Sequence, residues 1–484
     1  MNPMKIILRI GYIIAIGLAS LCLNSCRNQS LEGMVVFTQV PVGNLDIHGK
    51  AIAHKYKGAQ IVAINPGEPG APEIILTPDF YSACSPDISY DAKHLLFTAQ
   101  QKENDSWQVW EMDMENRTSK KITHFKESCY GPAYLPAGRL VFSRQMPETG
   151  TGPVHALYTM DLDGANVSQI TFQPHFDYTT TVLRDGRILM LTKQLFPQPG
   201  DMMYMAIRPN GTKTELFYKG PDSSILNNQA YETGDGLVYF IEWGNGNPNN
   251  GNIISINQNR PLFTKVNLTS GIAGSFYSVL PMQPGRMLVS YRPSDTGPVG
   301  LYSFSAKDKS LGVPIYKHPG YHAIEPVLVE AFTRPRNLPD DTNPKKTTGL
   351  LFCQDINVIA QPDGPDLLDN AKATKVEVLG INKSMGIVPV EEDGSFYLKV
   401  IADTPIRLQT LDENDNILYG PSGWIWIRPF ERRGCVGCHQ DPELAPDNFV
   451  PLSVKKPPVS IPVEDSYETE QSAPSKEMNK NEEK

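Results

Sequence analysis

Residues 85–97 read SPDISYDAKHLLF, a turn followed by an apolar strand, and weaker versions of this phrase recur as YLPAGRLVF at 134–142 and VLRDGRILM at 182–190. Apolar strand patterns of this kind occur six times, and their central residues lie 60, 45, 48, 50 and 49 residues apart. These central residues are Phe37, Phe97, Phe142, Met190, Phe240 and Val289. The spacings are close to the ~40–50 residues of a four-stranded propeller blade. The repeats predict an all-β chain with a six-bladed β-propeller over residues 34–332; the alternative, an open β-sandwich, does not explain six regular units.

A second apolar strand follows in each unit, after turn sequences such as DLDG at 161–164 and RPNG at 208–211. Gly and Asn supply the positive φ that a tight hairpin needs. Because a propeller closes by pairing its first and last strands, we expect residues 34–39 to join a blade with sequence from the far end. The Pro-Asp phrase resembles the WD-like repeats of the Tol-system propeller, which implies a fold and not a function.

The pattern changes after the propeller. Residues 333–346, TRPRNLPDDTNPKK, have no hydrophobic period and predict a linker. Strands of alternating character predict a small antiparallel β-sandwich over residues 347–430, followed by a short c-type haem segment over residues 431–450. Residues 451–484 are rich in Pro, Ser, Glu and Lys and nearly empty of aromatics, so we expect them to be disordered.

Residues 1–25 have the form of a bacterial lipoprotein signal peptide, with Lys5 and Arg9 before an apolar run that ends in small residues. Cys26 would become the first mature residue and carry lipid, followed by a tether over residues 26–33. The alternatives are an uncleaved anchor or a plain secretory peptide. Arg27 stands where an Asp often retains lipoproteins in the inner membrane, so we expect an envelope protein anchored in the outer membrane and facing the periplasm.

The charge balance excludes one class of partner. The 484 residues include 44 Lys and Arg against 53 Asp and Glu, a net charge of -9. A nucleic-acid groove needs a clustered excess of basic residues, so no nucleic-acid partner is expected.

The chemistry is predicted by a C-x-x-C-H motif at Cys435, Cys438 and His439. Two thiols at this spacing add to the two vinyl groups of haem, and the adjacent histidine reaches the iron as the proximal ligand. The motif therefore predicts one covalent haem c. A dithiol redox pair and a zinc site remain as alternatives, although neither a thioredoxin-like unit nor further zinc ligands are visible nearby.

A second iron ligand cannot be derived from spacing. His175 before one blade and His322 after the last blade are the candidates, because a propeller face could meet the haem segment there. Cys84, Cys129 and Cys353 are most simply buried thiols. The alternative for Cys84 and Cys129, which occupy similar places in successive blades, is a metal at the propeller mouth.

Residues 386–413 and 423–448, the second containing ERRGCVGCH followed by ELAP, resemble the middle region of the hydrazine synthase alpha subunit family. The resemblance implies a six-bladed propeller, a small β domain and a c-type haem. In that family it also implies a further haem domain downstream, a complex with other haem subunits, an iron bound by a tyrosine shortly after the motif, and a motif histidine turned toward zinc. Here Glu443 stands four residues after His439, and the next tyrosine is Tyr467. We therefore predict ordinary iron ligation by His439 and a different or lost reaction.

Two functions follow from these observations. The first is a lipid-anchored periplasmic haem protein that transfers electrons to a redox partner protein or performs redox chemistry on a small molecule. The second is a non-enzymatic propeller scaffold for a protein or envelope partner, with the cysteines holding zinc or a disulfide. A scaffold face needs exposed aromatic residues, for which the candidates are Trp107, Trp110, Trp243, Trp424 and Trp426, although packing in the core is the simpler interpretation. The chain contains no G-x-S-x-G, H-E-x-x-H or Walker motif that would indicate a hydrolase.

Overall fold

The computed structural model describes residues 29–45, 56–147, 154–244, 247, 249–294, 296–358, 372–437 and 449–462. Regular structure in these ranges is almost entirely β-sheet. Within them, no helix has the length and apolar character to cross a membrane. The predicted signal peptide and lipidated Cys26 lie outside the described residues, as do Cys438 and His439 of the motif.

Six four-stranded blades form the propeller, numbered here in chain order. Blade 1 contains β1 (Val35–Pro41), β2 (Gln60–Ile64) and β3 (Ile74–Ile75). Blade 2 contains β4 (Ser82–Ile88), β5 (His94–Gln100), β6 (Gln108–Asp113) and β7 (Ser119–Lys121). Blade 3 contains β8 (Cys129–Leu135), β9 (Arg139–Gln145), β10 (His155–Asp161) and β11 (Ser168–Gln169). Blade 4 contains β12 (His175–Val182), β13 (Ile188–Gln194), β14 (Met202–Ile207) and β15 (Glu215–Lys219). Blade 5 contains β16 (Ile225–Glu232), β17 (Leu237–Trp243), β18 (Gly251–Asn257) and β19 (Val266–Asn267). Blade 6 contains β20 (Ser275–Gln283), β21 (Arg286–Arg292), β22 (Gly300–Ser305) and β23 (Ser310–Tyr316).

The ring is closed by β24 (Tyr321–Leu328), which pairs antiparallel with β1 and becomes the innermost strand of blade 1. At this joint the buried Glu325 carboxylate accepts hydrogen bonds from Thr38 Oγ1 at 2.7 Å and from the Ser85 N–H at 2.8 Å. The side chain thus connects both strands of the closure to blade 2. The predicted propeller and its closure by residues near 34–39 are confirmed, and blade 4 lies across the ring from blade 1.

In each of four blades, one threonine side chain forms a hydrogen bond that stabilises the outer part of the blade. Its Oγ1 accepts the backbone N–H of the neighbouring strand at 2.8–3.0 Å in the pairs Ile61 and Thr77, Val109 and Thr123, Leu157 and Thr171, and Ile253 and Thr269. Each threonine follows a Leu or Ile that packs into the core. The Leu-Thr and Ile-Thr pairs therefore mark a second repeat that the strand patterns do not reveal.

The C-terminal domain is a sandwich of two four-stranded sheets. One sheet has the order β31 (Arg432–Cys435), β25 (Thr348–Cys353), β28 (Phe396–Ile401) and β32 (Val459–Ile461). The other has the order β27 (Ser384–Pro389), β26 (Lys375–Leu379), β29 (Arg407–Leu411) and β30 (Ile417–Tyr419). Leu351 and Leu398 of the first sheet pack with Val376 and Val378 of the second in one apolar core. A short 3₁₀ turn, Ser453–Lys455, precedes the last strand.

Two expectations for this domain were wrong. The sandwich is not purely antiparallel, because β31 pairs parallel with β25 and β32 pairs parallel with β28. The predicted disordered tail is ordered over residues 451–462: Ile461 is buried in the sandwich core, and the Leu452 N–H donates to Asp393 Oδ2 at 2.7 Å. The prediction was based on the average composition of 34 residues, and such an average does not reveal one short strand that pairs with the exposed edge of a sheet.

Candidate functional site

Strand β31 carries the first cysteine of the motif to an edge of the sandwich. The Gln354 N–H donates to the Cys435 carbonyl at 2.9 Å, and the Asp355 N–H donates to the Val436 carbonyl at 3.1 Å. The side chain of Cys435 is only partly buried and packs against the apolar core of the sandwich. The pairing with β25 thus holds the backbone of the motif as a strand up to Val436.

The glycines of the motif lie against other parts of the domain. A Cβ atom added to Gly434 would collide with the ring of Phe352, and one added to Gly437 would collide with the backbone of Val358. Only glycine fits at both positions, because the backbone passes so close to its neighbours there that a side chain would collide with them. Residues 434–437 therefore follow a path fixed by contacts with the sandwich, not by local turn preference.

Residues 424–433, the docking segment, attach the sandwich to the propeller. Trp424 Nε1 donates to the Phe196 carbonyl of blade 4 at 2.8 Å, and the buried Trp426 packs into the core between blades 3 and 4. Arg428 is almost completely buried; its Nε donates to the Asn210 carbonyl at 2.9 Å. The motif is therefore held beside blade 4.

Two charged residues of the E-R-R sequence hold the last part of this segment. Glu431 is buried and accepts hydrogen bonds from the N–H groups of Arg428 at 2.8 Å and Lys213 at 3.0 Å. Arg433 donates to the Trp426 carbonyl at 3.1 Å and to the Thr214 carbonyl. Burial raises the pKa of the Cys435 thiol, and the positive charge of Arg433 opposes that rise. These anchoring roles were not predicted from the sequence. The feature that could have indicated them is the E-R-R sequence directly before the motif.

His175, one predicted second ligand, lies at the start of the innermost strand of blade 4. Its Nδ1 lies 3.0 Å from Thr192 Oγ1, and Thr192 in turn donates its hydroxyl proton to Asp177 Oδ1 at 2.6 Å. Since Thr192 donates its only hydroxyl proton to Asp177, its oxygen acts as the acceptor toward His175. We therefore assign the ring proton of His175 to Nδ1, which leaves Nε2 unprotonated. Nε2 is buried and has no hydrogen-bond partner among the described residues. Burial lowers the pKa of His175 to about 3, so the ring is neutral near pH 7.

His322, the other predicted second ligand, has the opposite arrangement. Its Nδ1 accepts the Val299 N–H at 3.0 Å, so its Nε2 carries the proton. Burial and the charge of Arg292 lower its pKa to about 4. It lies in β24 of blade 1, across the ring from the blade that contacts the docking segment. No contact between either histidine and Cys435 is observed in the described part of the chain.

The remaining cysteines and tryptophans lie in the core. Cys84 and Cys129 pack in different apolar clusters, and burial raises the pKa of both thiols, that of Cys129 to about 12. Cys353 is buried in the sandwich. No group of three His, Cys, Asp or Glu side chains suited to a metal occurs within the described ranges. Four of the five tryptophans are at most 8% exposed and Trp243 is partly buried, so they form no exposed aromatic face.

Residues 354–440, which include β31 and the motif, match the family model of the hydrazine synthase alpha subunit middle domain. The hydrazine synthase subunit alpha of Kuenenia stuttgartiensis is 23% identical over 493 aligned positions. Residues 354–440 belong to the hydrazine synthase alpha middle-domain family. The alignment with the relative covers 75% of this chain and 61% of that relative, so this chain spans less than two thirds of the relative's length.

The fold comparison agrees with this assignment. The solved structure of Kuenenia stuttgartiensis hydrazine synthase superposes with a TM-score of 0.76 at 19% identity, covering 89% of this chain and 71% of that one. TolB from Acinetobacter baumannii gives a TM-score of 0.44 at 14% identity, covering 62% of this chain and 68% of that one. The fold is thus shared with the hydrazine synthase structure over 89% of this chain.

Proposed function

We propose that this chain is a c-type haem protein of the hydrazine synthase alpha family that transfers electrons or performs small-molecule redox chemistry at one covalent haem. The observation that carries the proposal is the C-x-x-C-H sequence at Cys435, Cys438 and His439, whose first cysteine lies on a strand that is anchored to both domains. Haem supplies one-electron redox chemistry when bound.

The described residues around the motif suit such a group. Cys435 is the most accessible of the four described cysteines, and it lies at the end of a strand beside apolar side chains. Gly434 and Gly437 let the backbone on either side of Cys435 lie directly against Phe352 and Val358. Arg433 favours the thiolate form of Cys435, which is the nucleophilic form. His439 is the proposed proximal ligand.

We assign the second iron position to His175 as part of this proposal. Its Asp177–Thr192 hydrogen-bond chain has the form that orients ligand histidines in metal sites, where a carboxylate fixes the tautomer of the ring. A filled second position favours electron transfer over binding of a small molecule. The partner would then be a redox protein of the cell envelope, reached from a lipid anchor at Cys26 in the outer membrane.

The test is a visible spectrum of the full chain, produced with a haem c maturation system and recorded oxidised and then dithionite-reduced. We expect a haem band that survives denaturation, is lost in Cys435→Ala, and does not change with carbon monoxide. Cys129→Ala, at a buried thiol in blade 3, is the matched control and keeps the band.

Each outcome has a distinct meaning. A carbon-monoxide response would remove His175 from the site and leave the covalent haem. Absence of any retained haem in the wild-type chain would overturn the proposal and favour a propeller scaffold with zinc or a disulfide at the cysteines, to be followed by zinc analysis.

A further inference from the structure

The parallel pairing of β31 with β25 places two cysteines from distant parts of the sequence side by side. Register pairs run from Leu350 and Arg432 to Cys353 and Cys435. Cys353 belongs to the buried core of the sandwich, and Cys435 packs against the same core. The thiol of Cys353 also approaches the Val436 carbonyl at 3.9 Å. Cys353 is therefore the described cysteine paired directly with the motif.

The spacing suits a covalent bond between the two sulfurs. Directly paired residues on neighbouring strands have Cα atoms about 4.8 Å apart, within the ~4.4–6.8 Å range of disulfides. Their side chains point to the same face of the sheet. Because β31 is the edge strand of its sheet, no second strand separates or competes with this pair.

We propose that Cys353 and Cys435 form a disulfide in the haem-free chain, and that this bond competes with haem attachment at Cys435. The second part rests on the proposed function, because it uses the same sulfur atom. A thioether to haem consumes the Cys435 sulfur, so the disulfide and the thioether exclude each other. Cys353 then acts as a reversible protecting group for the motif.

The oxidant is the disulfide of a thiol oxidase of the cell envelope. The Cys435 thiolate attacks one sulfur of that disulfide, forming a mixed disulfide and releasing the oxidase's other sulfur as a thiol. The Cys353 thiolate then attacks Cys435 Sγ, which forms the Cys353–Cys435 bond and releases the oxidase's remaining sulfur. The two cysteines lose two electrons and two protons, and the oxidase gains them as a dithiol. A dithiol reductant reverses the sequence before haem is added.

The test is peptide mapping of the full chain exported to the periplasm without haem maturation, quenched in acid and alkylated with N-ethylmaleimide. We expect the peptides of Cys353 and Cys435 to be joined and to separate on reduction. In Cys353→Ser we expect the Cys435 peptide to be found on its own, with Cys435 alkylated. Cys129→Ser is the control and retains the joined peptide. In the haem-loaded chain the joined peptide disappears, and Cys353 is alkylated.

A Cys435–Cys438 bond, or alkylation of both Cys353 and Cys435 in the haem-free chain, would overturn this inference. The two proposals fail separately. If haem attaches but the joined peptide is absent from the haem-free chain, the disulfide and its competition with haem are wrong and the haem function stands. If the peptide is joined but haem never attaches, the haem function and the competition are wrong and the disulfide stands.

Discussion

Asp177 orients the ring of His175 through Thr192, and the burial of its carboxylate lowers the stability of the folded protein. It is fully buried and accepts hydrogen bonds from Thr192 and from Gln173 Nε2, the latter at 3.0 Å. Its second oxygen has no hydrogen-bond partner in the described residues. Burial raises the pKa of Asp177 to about 6, and hydrogen bonds from Thr192, Thr171 and Gln173 limit the rise. The folded protein therefore holds this proton more tightly than the unfolded chain does.

This difference predicts a pH-dependent effect of Asp177→Asn. Between the ordinary pKa of 3.8 and about 6, the folded state binds more protons at Asp177, so the wild type loses stability as the pH rises through this interval. The free energy of unfolding of the wild type minus that of the variant should fall from pH 4 to pH 6 and be level above. The lowered pKa of His175 acts in the opposite direction but is present in both proteins.

Urea unfolding followed by tryptophan fluorescence at several pH values measures this difference. Asp163→Asn, at an exposed turn of blade 3, is the control for removing one carboxylate. A wild-type minus variant difference that does not change between pH 4 and pH 6 would show that Asp177 is ionised in the fold throughout.

At the scale of elements, β31 connects the motif, the sandwich and the propeller. The strand patterns were sufficient to predict the six blades, whereas the place of Cys435 on an edge strand of the sandwich was not predicted, because residues 431–450 were expected to form a separate segment. The pairing of Cys353 with Cys435 was not predictable, because it depends on a parallel contact between strands 82 residues apart in a segment without a strand pattern. The His175 tautomer likewise depends on cross-strand register, which places Thr192 opposite Asp177. The exact domain boundaries stay predictions.

Arg433→Met tests the anchoring of β31. Losing the donors to the Trp426 and Thr214 carbonyls should lower the free energy of unfolding by about 1.5–3 kcal/mol. Losing the positive charge should raise the pKa of Cys435 and shift the pH of half-maximal alkylation upward. Mass spectrometry of the Cys435 peptide separates this thiol from the other cysteines.

Arg432→Met is the matched control, because Arg432 is exposed and contacts the ring of Phe430. We expect it to leave both the alkylation profile and the stability nearly unchanged. Equal effects of the two variants would mean that net charge near the motif, and not the position of Arg433, determines the behaviour of Cys435.

The whole molecule depends on the closure of the ring by β1. Val35 and Phe37 are completely buried and pack against Leu280 and Leu301 of blade 6. Removing β1 would expose these apolar side chains, leave β24 without a paired strand and leave β2 paired only with β3. Unpaired strand edges of this kind pair with other chains.

A chain that begins at Val42 should therefore elute from a size-exclusion column as aggregates and melt without a cooperative transition. A chain that begins at Gln29 retains β1 and should elute and melt like the longer chain. Identical elution and melting of the two truncated chains would show that blades 2–6 are stable without closure.

Closure also determines when the fold can be completed. Thr38 and Glu325, which meet at the joint, are 287 residues apart. At ~5–20 residues per second, a ribosome takes roughly 15–60 s to synthesise the intervening chain. During that time one edge of the first strand has no native partner, and the long sequence separation makes its final pairing a slow step. Among the propeller strands, β1 therefore exposes an unpaired edge for the longest time during synthesis.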